Sequence, residues 1–217
     1  MGAQPAILVI ACGALAREIV ALRTLNQWPH MVVQCLPADW HNRPEKIPEG
    51  VRAKIRAARG RFQSIFVAYA DCGTGGLLDQ VLQEEGVQRI PGAHCYEFFA
   101  GSAQFEALAE AELGTFYLTD FLLQHFERLI MHGLGLDEHP ELMPLYFGHY
   151  KKLTYLAQLE SPEKIAAGQA AAKRLGLQFE YHVTGYGGLA SSLQDAQAQA
   201  QALIWHPMTA SNTTWQN

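Results

Sequence analysis

The sequence predicts an α/β fold of the Rossmann-like type, in which a parallel sheet carries helices on both faces. Three observations support this prediction. Short apolar runs alternate with segments whose apolar residues recur at helical spacing. The apolar runs are continuous, as expected for strands buried on both faces. Glycine-rich turns join a strand to a helix in both halves of the chain, which indicates βαβ units in two similar lobes or in one wide sheet.

The first half contains four predicted strands and three predicted helices. The strands are four to seven residues long, at 6–11, 31–36, 64–70 and 87–90; the first three are mainly apolar runs, and the fourth is a short segment with Val87 and Ile90 at its ends. The helices, at 14–25, 49–58 and 77–85, carry apolar residues at helical spacing. The segment 37–48 is polar and rich in turn residues, so we expect a loop there.

The second half repeats this order. The predicted helices are 103–113, 120–131, 141–150, 162–175 and 189–202, and the predicted strands are 115–118, 153–157, 177–183 and 203–205. The best-marked helix has Ser161 as N-cap, Pro162 at its first position and Gly176 after its last residue. We therefore expect an N-terminal lobe over 1–100, a C-terminal lobe over 101–207 and a loose tail over 208–217.

Composition limits the classes of partner. Hydrophobic residues make up 49% of the 217 residues, enough for a core, and charged residues only 17%. The formal net charge of −5 argues against a nucleic-acid or anionic-membrane surface, which needs clustered Lys and Arg. The early apolar run is too short to span a bilayer and has no basic leader, so we expect a cytoplasmic protein. The low charge is compatible with a homodimer.

Three of the four cysteines follow predicted strands. Cys12 follows the first strand, Cys72 the third, and Cys95 lies five residues after the fourth, whereas Cys35 lies inside a strand. Ligands bind at the carboxyl ends of parallel strands, so these three thiols should meet at one sheet edge. Thiolates favour Zn²⁺ or an iron–sulfur cluster, and three of them leave a fourth position open. His94 is a candidate catalytic residue or, if the segment with Cys95 is an irregular loop in which both side chains reach one ion, a candidate fourth ligand; His206 is another candidate ligand.

Two other interpretations of the cysteines remain open. A lone cysteine is most often a small buried hydrophobe. Alternatively, Cys12 or Cys72 is a single reactive thiolate, activated by a helix N-terminus without any metal. A metal held by four protein ligands would indicate a storage or structural role, whereas a metal with one open coordination position would indicate catalysis.

Polar and glycine residues at the same edge are further candidates. Two glycine-rich turns offer backbone N–H groups that could hold an anionic cofactor or substrate. One contains Gly73, Gly75 and Gly76, and the other contains Gly187 and Gly188. Neither turn fits a dinucleotide or P-loop motif. The competing interpretation is a helix-entry turn. Thr119 and Asp120 follow a short strand and are either catalytic residues or a helix N-cap pair. Arg17 and Glu18 could flank the cleft at Cys12 or lie on a solvated helix face.

The segments 95–102 (CYEFFAGS) and 114–119 (GTFYLT), with Ala11-Cys12-Gly13 and Cys72-Gly73, resemble domain-of-unknown-function family 1638 over nearly the whole chain. The resemblance implies a Rossmann-like fold and directs attention to Cys12, Cys72 and Cys95 rather than Cys35. It also implies an association with corrinoid-dependent methyl transfer, and so a corrinoid protein as partner. It implies no activity, and His94 departs from the acidic residue expected before the third cysteine.

The residues together predict a metal- or iron–sulfur-dependent enzyme, a lyase or a transferase, that acts on a small polar or acidic substrate. The alternative is a non-catalytic protein that binds a metal, a corrinoid or a small molecule at the same edge.

Overall fold

The computed structural model describes residues 7–205 and contains two parallel sheets. The first sheet has the order β2-β1-β3-β4 and the second has the order β5-β6-β7. The strands are β1 (Ile7–Cys12), β2 (Met31–Leu36), β3 (Ser64–Ala68), β4 (Gln88–Arg89), β5 (Thr115–Thr119), β6 (Lys152–Ala157) and β7 (Gln178–Val183). The predicted α/β class with parallel strands is confirmed.

Nine α-helices connect the strands within residues 7–205. They are α1 (Ala16–Leu25), α2 (Ile47–Ala58), α3 (Leu77–Glu85), α4 (Cys95–Ala100), α5 (Ser102–Ala111), α6 (Asp120–Gln124), α7 (Met143–Phe147), α8 (Pro162–Leu175) and α9 (Gly187–Trp205). In this described range, none of the helices combines the length and apolar character that crossing a bilayer requires.

Strand β1 forms the centre of the first sheet. All six of its residues are buried, and it pairs in parallel register with β2 through Ile7 and Met31 and with β3 through Ile7 and Ser64. This burial on both faces explains why the run contains no polar side chain. The carboxyl ends of β1 and β3 therefore lie side by side, which places the residues that follow them at one edge.

The second sheet has its own core around β6. Leu153 and Tyr155 on β6 are completely buried and pack with Leu118 of β5 and Phe126 and Phe147 of the connecting helical segments. Ser161 caps α8 by accepting a hydrogen bond from the Lys164 N–H, and Gly176 ends it in the left-handed conformation, as the sequence predicts.

The last described helix returns to the first sheet. Leu189, Leu193 and Ala200 of α9 are completely buried in the core formed by β1, β3 and α4. Residues 203–205 belong to this helix, so the predicted strand there is wrong; the helix propagates from the Ala/Gln-rich stretch that ends at Ala202 into the apolar residues Leu203 to Trp205. The division of lobes at residue 100 stays a prediction, and His206 and the tail over 208–217 lie outside the described residues.

Three further segments differ from their predicted form. Cys95 begins α4, a short helix, where a loop is expected, since Gly92 and Ala93 already complete the turn. The helix expected over 120–131 is divided into α6 and a π-helical turn at Glu127–His132. The helix expected over 141–150 is only five residues long, because Pro144 stands near its start and Gly148 follows it.

A buried carboxylate joins α2 to α3. The Glu85 side chain is only 7% exposed and accepts hydrogen bonds from Arg59 Nη2 at 2.7 Å and Arg56 Nε at 2.8 Å. These two guanidinium groups lower the pKa of Glu85 to about 2, from an ordinary value of 4.5. A group whose pKa falls on folding stabilises the folded state above its unfolded pKa, and this contribution is lost as the pH falls through the folded pKa.

We therefore expect Glu85→Gln to lower the melting temperature at pH 7, with a difference from wild type that closes as the pH falls from about 4.5 to about 2. Thermal unfolding followed by circular dichroism at several pH values measures it. Glu84→Gln, which changes a half-exposed neighbour bound to Arg52, serves as the control and should have a smaller effect. A difference for Glu85→Gln that does not change with pH would contradict this role.

Candidate functional site

A largely enclosed cavity of about 210 Å³ lies beyond the carboxyl ends of β1 and β3. Residues from both halves of the chain line it, including Cys12, Cys72 and Cys95 from the first half and Thr119 and Phe121 from the second. The three cysteines expected to meet at one sheet edge therefore share a single cavity. Cys35 does not line it and lies on β2 opposite Ala11.

Backbone hydrogen bonds explain how the three thiols converge. Cys12 ends β1, and its Sγ accepts a hydrogen bond from the Ala14 N–H at 3.5 Å. The Cys72 N–H donates to the Ala93 carbonyl oxygen at 2.8 Å, which fastens the turn after β3 to the loop before α4. Cys95 is the first residue of α4, two positions beyond Ala93. The loop between β4 and α4 thus delivers the third thiol to the edge formed by the first two.

Cys72 adopts an unusual backbone conformation. Its φ is +51°, and among the described residues only one other non-glycine residue, Gln27, has a positive φ. This conformation is sparsely populated for side chains other than glycine, asparagine and aspartate, and such strain concentrates at functional sites. The turn therefore holds the Cys72 thiol at the cavity at some cost in backbone energy.

Burial sets the protonation of the three thiols. It raises the pKa of Cys12, raises that of Cys72 to about 12, and raises that of Cys95 well above its usual value of 9.0. Burial outweighs the hydrogen bonds that favour the thiolates, so the thiols are protonated at neutral pH. Burial therefore opposes the activation of Cys12 or Cys72 by a helix N-terminus, and a single reactive thiolate stays a prediction.

The three thiols line the same cavity but do not form a metal coordination shell. Within residues 7–205, no three His, Cys, Asp or Glu side chains are placed so that they could hold one metal ion. The metal or cluster site on Cys12, Cys72 and Cys95 stays a prediction.

Two polar side chains at the cavity could not be found from sequence patterns. Tyr69 is only 2% exposed, and its hydroxyl lies beside the Cys12 thiol without a well-formed hydrogen bond to any described residue. In the sequence, Tyr69 is one of two hydroxyl-bearing residues, with Ser64, of the mainly apolar run 64–70, and no spacing distinguishes it. His41 reaches the cavity from the segment between β2 and α2, and burial lowers the pKa of its imidazole. No motif marked His41.

The structure separates the three candidate catalytic residues. Thr119 lines the cavity, and its Oγ1 caps α6 by accepting the Leu122 N–H at 3.4 Å. His94 is exposed and does not line the cavity, although the neighbouring Cys95 does. Asp120 lies against a second cavity on the other side of Phe121. The catalytic roles of these residues stay predictions.

The first glycine-rich turn is closed by its own carboxylate. Asp71 Oδ1 accepts hydrogen bonds from Thr74 Oγ1 at 2.6 Å and from the Gly76 N–H at 3.0 Å, and its Oδ2 accepts from the Gly75 N–H at 3.2 Å. Partial burial opposes ionisation, but these hydrogen bonds hold the pKa of Asp71 below its usual value. Gly75 and Gly76 therefore already donate to an anion of the protein, and Gly73, with φ of +81°, serves the turn.

The second glycine-rich turn is packed against α4. A Cβ on Gly187 would lie 2.3 Å from the Phe99 carbonyl oxygen, and one on Gly188 would lie 3.2 Å from that of Phe98. Close approach of two helices thus accounts for glycine at both positions, and neither residue lines the thiol cavity. The proposed cofactor-binding role of both turns stays a prediction.

Comparison with known proteins identifies a family. A family model described as "Protein of unknown function (DUF1638)" matches residues 35–193. The match includes Cys72, Cys95 and the segment 114–119, and it excludes Cys12, so it is shorter than the near-complete resemblance predicted from the sequence. No curated protein and no solved structure matches the chain. Because the matched segment covers well over half of the 217 residues, the chain belongs to the DUF1638 family.

Proposed function

We propose that this chain is an enzyme that holds a zinc ion or an iron–sulfur cluster on Cys12, Cys72 and Cys95 and acts on a small polar or acidic substrate. One observation carries the proposal: three thiols from three separate segments line one cavity between the two halves of the chain. The strained backbone of Cys72 supports it, because a cysteine that served only as a buried hydrophobe would not need this conformation.

The donor set fits a soft metal. Three thiols and no carboxylate line this cavity, and a metal that displaces their protons would be held by sulfur, which favours zinc or iron–sulfur over magnesium or calcium. When bound, such a group supplies Lewis-acid polarisation of a substrate oxygen, because three protein ligands leave one position open. Ligation would replace the three thiol protons, so binding is expected to release protons.

The side chains around the thiols could position a substrate. The Tyr69 hydroxyl, which lies beside Cys12 without a well-formed hydrogen bond in the described range, could donate one to a substrate oxygen. The His41 imidazole, kept neutral by burial, could accept or donate a proton at the opposite wall. Phenylalanine side chains exclude water from the same space, which strengthens each of these interactions.

A second candidate function is binding of a small, largely apolar molecule without any metal. Six aromatic side chains line the cavity, and concave apolar sites with few polar groups are typical of ligand pockets. They are Tyr69, Tyr96, Phe98, Phe99, Phe116 and Phe121. The absence of a ready coordination shell within the described residues favours this candidate. A homodimer and a corrinoid-protein partner also remain predictions.

Metal analysis distinguishes the two functions. Wild-type protein and Cys35→Ser, both purified without oxygen, are analysed for metals and acid-labile sulfide. We expect each to contain about one zinc ion per chain, or iron and sulfide in about equal amounts. Zinc alone supports a Lewis-acid site, and iron with sulfide a cluster. Protein that contains neither, and that takes up neither on reconstitution, would overturn the proposal and leave the metal-free binding function.

A further inference from the structure

A second cavity, of about 280 Å³, lies at the carboxyl edge of the second sheet. Arg17 and Glu18 of α1 face Asp120 at the end of β5, Gln158 after β6 and Lys164 of α8 across it. Ligands of parallel sheets bind at this edge, and the position between elements of both halves is typical of a binding site. Phe121 borders both cavities, and none of the three thiols lines this one.

Asp120 is fixed by the protein itself. Its Oδ1 accepts hydrogen bonds from the Tyr155 hydroxyl at 2.6 Å and the Gln158 N–H at 3.1 Å, and its Oδ2 accepts one from Lys164 Nζ. The Asp120 N–H in turn donates to Gln158 Oε1 at 2.7 Å. Both carboxylate oxygens of Asp120 thus have hydrogen-bond donors from the protein, and the Asp120 side chain holds Lys164 in place.

Glu18 is not satisfied. It is only 8% exposed, and its Oε2 is buried with no hydrogen-bond partner among the described residues. Burial raises the pKa of Glu18 and Asp120 adds to the rise, whereas a hydrogen bond from its own backbone N–H and the charges of Arg17 and Lys164 oppose it. A buried carboxyl oxygen without a donor is costly, so the site would gain from a ligand that brings an N–H donor.

Two cations beside Glu18 retain spare donors. Arg17 gives a hydrogen bond from Nη1 to the Gln124 side-chain oxygen, and a guanidinium group has five N–H donors in all. Lys164 gives one of its three N–H groups to Asp120. Arginine is suited to bind a carboxylate through two parallel N–H donors. The apolar side chains of Ala21 and Leu159 complete the cavity.

We propose that this second cavity binds a free α-amino acid. The ammonium group donates to the unpartnered Oε2 of Glu18, the carboxylate binds Arg17 with help from Lys164, and the side chain lies against Ala21 and Leu159. An α-amino acid carries both charges one carbon apart, which matches a cavity that places an unpartnered carboxyl oxygen beside two cations. This site does not depend on the proposed metal centre.

Titration of the full-length protein with each of the twenty L-amino acids, followed by thermal shift and calorimetry, tests the proposal. We expect at least one to raise the melting temperature in a concentration-dependent manner. Its N-acetyl derivative, which lacks the ammonium group, and its amide, which lacks the carboxylate, should each bind about 10- to 100-fold more weakly.

Substitutions locate the binding. Glu18→Gln, which keeps the size of the side chain, should weaken binding of that amino acid about 10- to 100-fold, and so should Arg17→Gln at the exposed end of the site. Glu106→Gln, exposed on α5 and part of neither cavity, should bind as wild type does. If Glu18→Gln does not fold, Arg17→Gln decides. Absence of binding by every amino acid, equal binding of the N-acetyl derivative, or wild-type affinity in Arg17→Gln would overturn the proposal.

Discussion

Cys72→Ser is expected to remove the bound metal from protein purified without oxygen, and Cys12→Ser and Cys95→Ser are expected to do the same. Each change replaces a soft thiolate by a hard hydroxyl and leaves two sulfur ligands out of three. Changes to residues that only support ligands already cost about 10- to 100-fold in affinity, so loss of a ligand should exceed that range. Metal and sulfide content per chain, with a melting curve to confirm folding, measures the outcome.

Cys35→Ser is the matched control for this series. Cys35 is a half-buried thiol on β2, opposite Ala11, and it does not line the cavity. The same atom is exchanged in all four variants, so a loss confined to Cys12, Cys72 and Cys95 reports ligation rather than general damage. Retention of wild-type metal content by a folded variant at any of these three positions would show that its thiol is not a ligand.

The meeting of Cys12 and Cys72 could be predicted because it depends only on sheet topology. Each thiol follows a continuous apolar run, and two such runs in a parallel sheet end at the same edge. The position of Cys95 depends on more than this. The Cys72 N–H bonds to Ala93, and this long-range contact, which has no sequence signature, brings the start of α4 to the edge.

His94 shows why neighbours in sequence are weak predictors of a shared site. The expectation that His94 and Cys95 act together required an irregular loop. Instead, α4 begins at Cys95, His94 stands at its N-cap position, and the imidazole is exposed. Tyr69 and His41, which do line the cavity, lie 26 or more residues before Cys95 and reach it only through the tertiary fold.

Asp120 shows that the sequence can place a residue after a strand without predicting which cavity its side chain lines. The sequence placed it after a strand, which is correct, but could not show which cavity its side chain would meet. Thr119 is the last residue of β5 and Asp120 is the first residue of α6, so the chain changes direction between them. Thr119 therefore lines the thiol cavity, whereas Asp120 lies against the second cavity and bonds to Tyr155, Gln158 and Lys164.

The packing of α9 on the first sheet could not be predicted from the sequence either. It leads to the second prediction, which concerns Gly187. Gly187 begins α9 with a φ of +45°, and a Cβ there would lie 2.3 Å from the Phe99 carbonyl oxygen and 2.4 Å from that of Phe98. These are backbone atoms of α4, the helix that carries Cys95, so they can yield only if α4 and α9 move apart. The glycine therefore permits the approach that holds Cys95 in place.

Gly187→Ala is expected to destabilise the protein by about 2–5 kcal/mol, the sum of a left-handed conformation and overpacking, and so to lower its melting temperature by roughly 4–20 °C. Metal content should fall with it, since displacement of α4 moves the Cys95 thiol. Gly185→Ala isolates the cause: Gly185 has a φ of +60°, but no atom lies within 4 Å of the added Cβ. It should show the backbone cost alone, about 1–2 kcal/mol, and keep its metal. Equal losses in the two variants would mean that conformation alone, rather than contact with α4, makes glycine necessary at position 187.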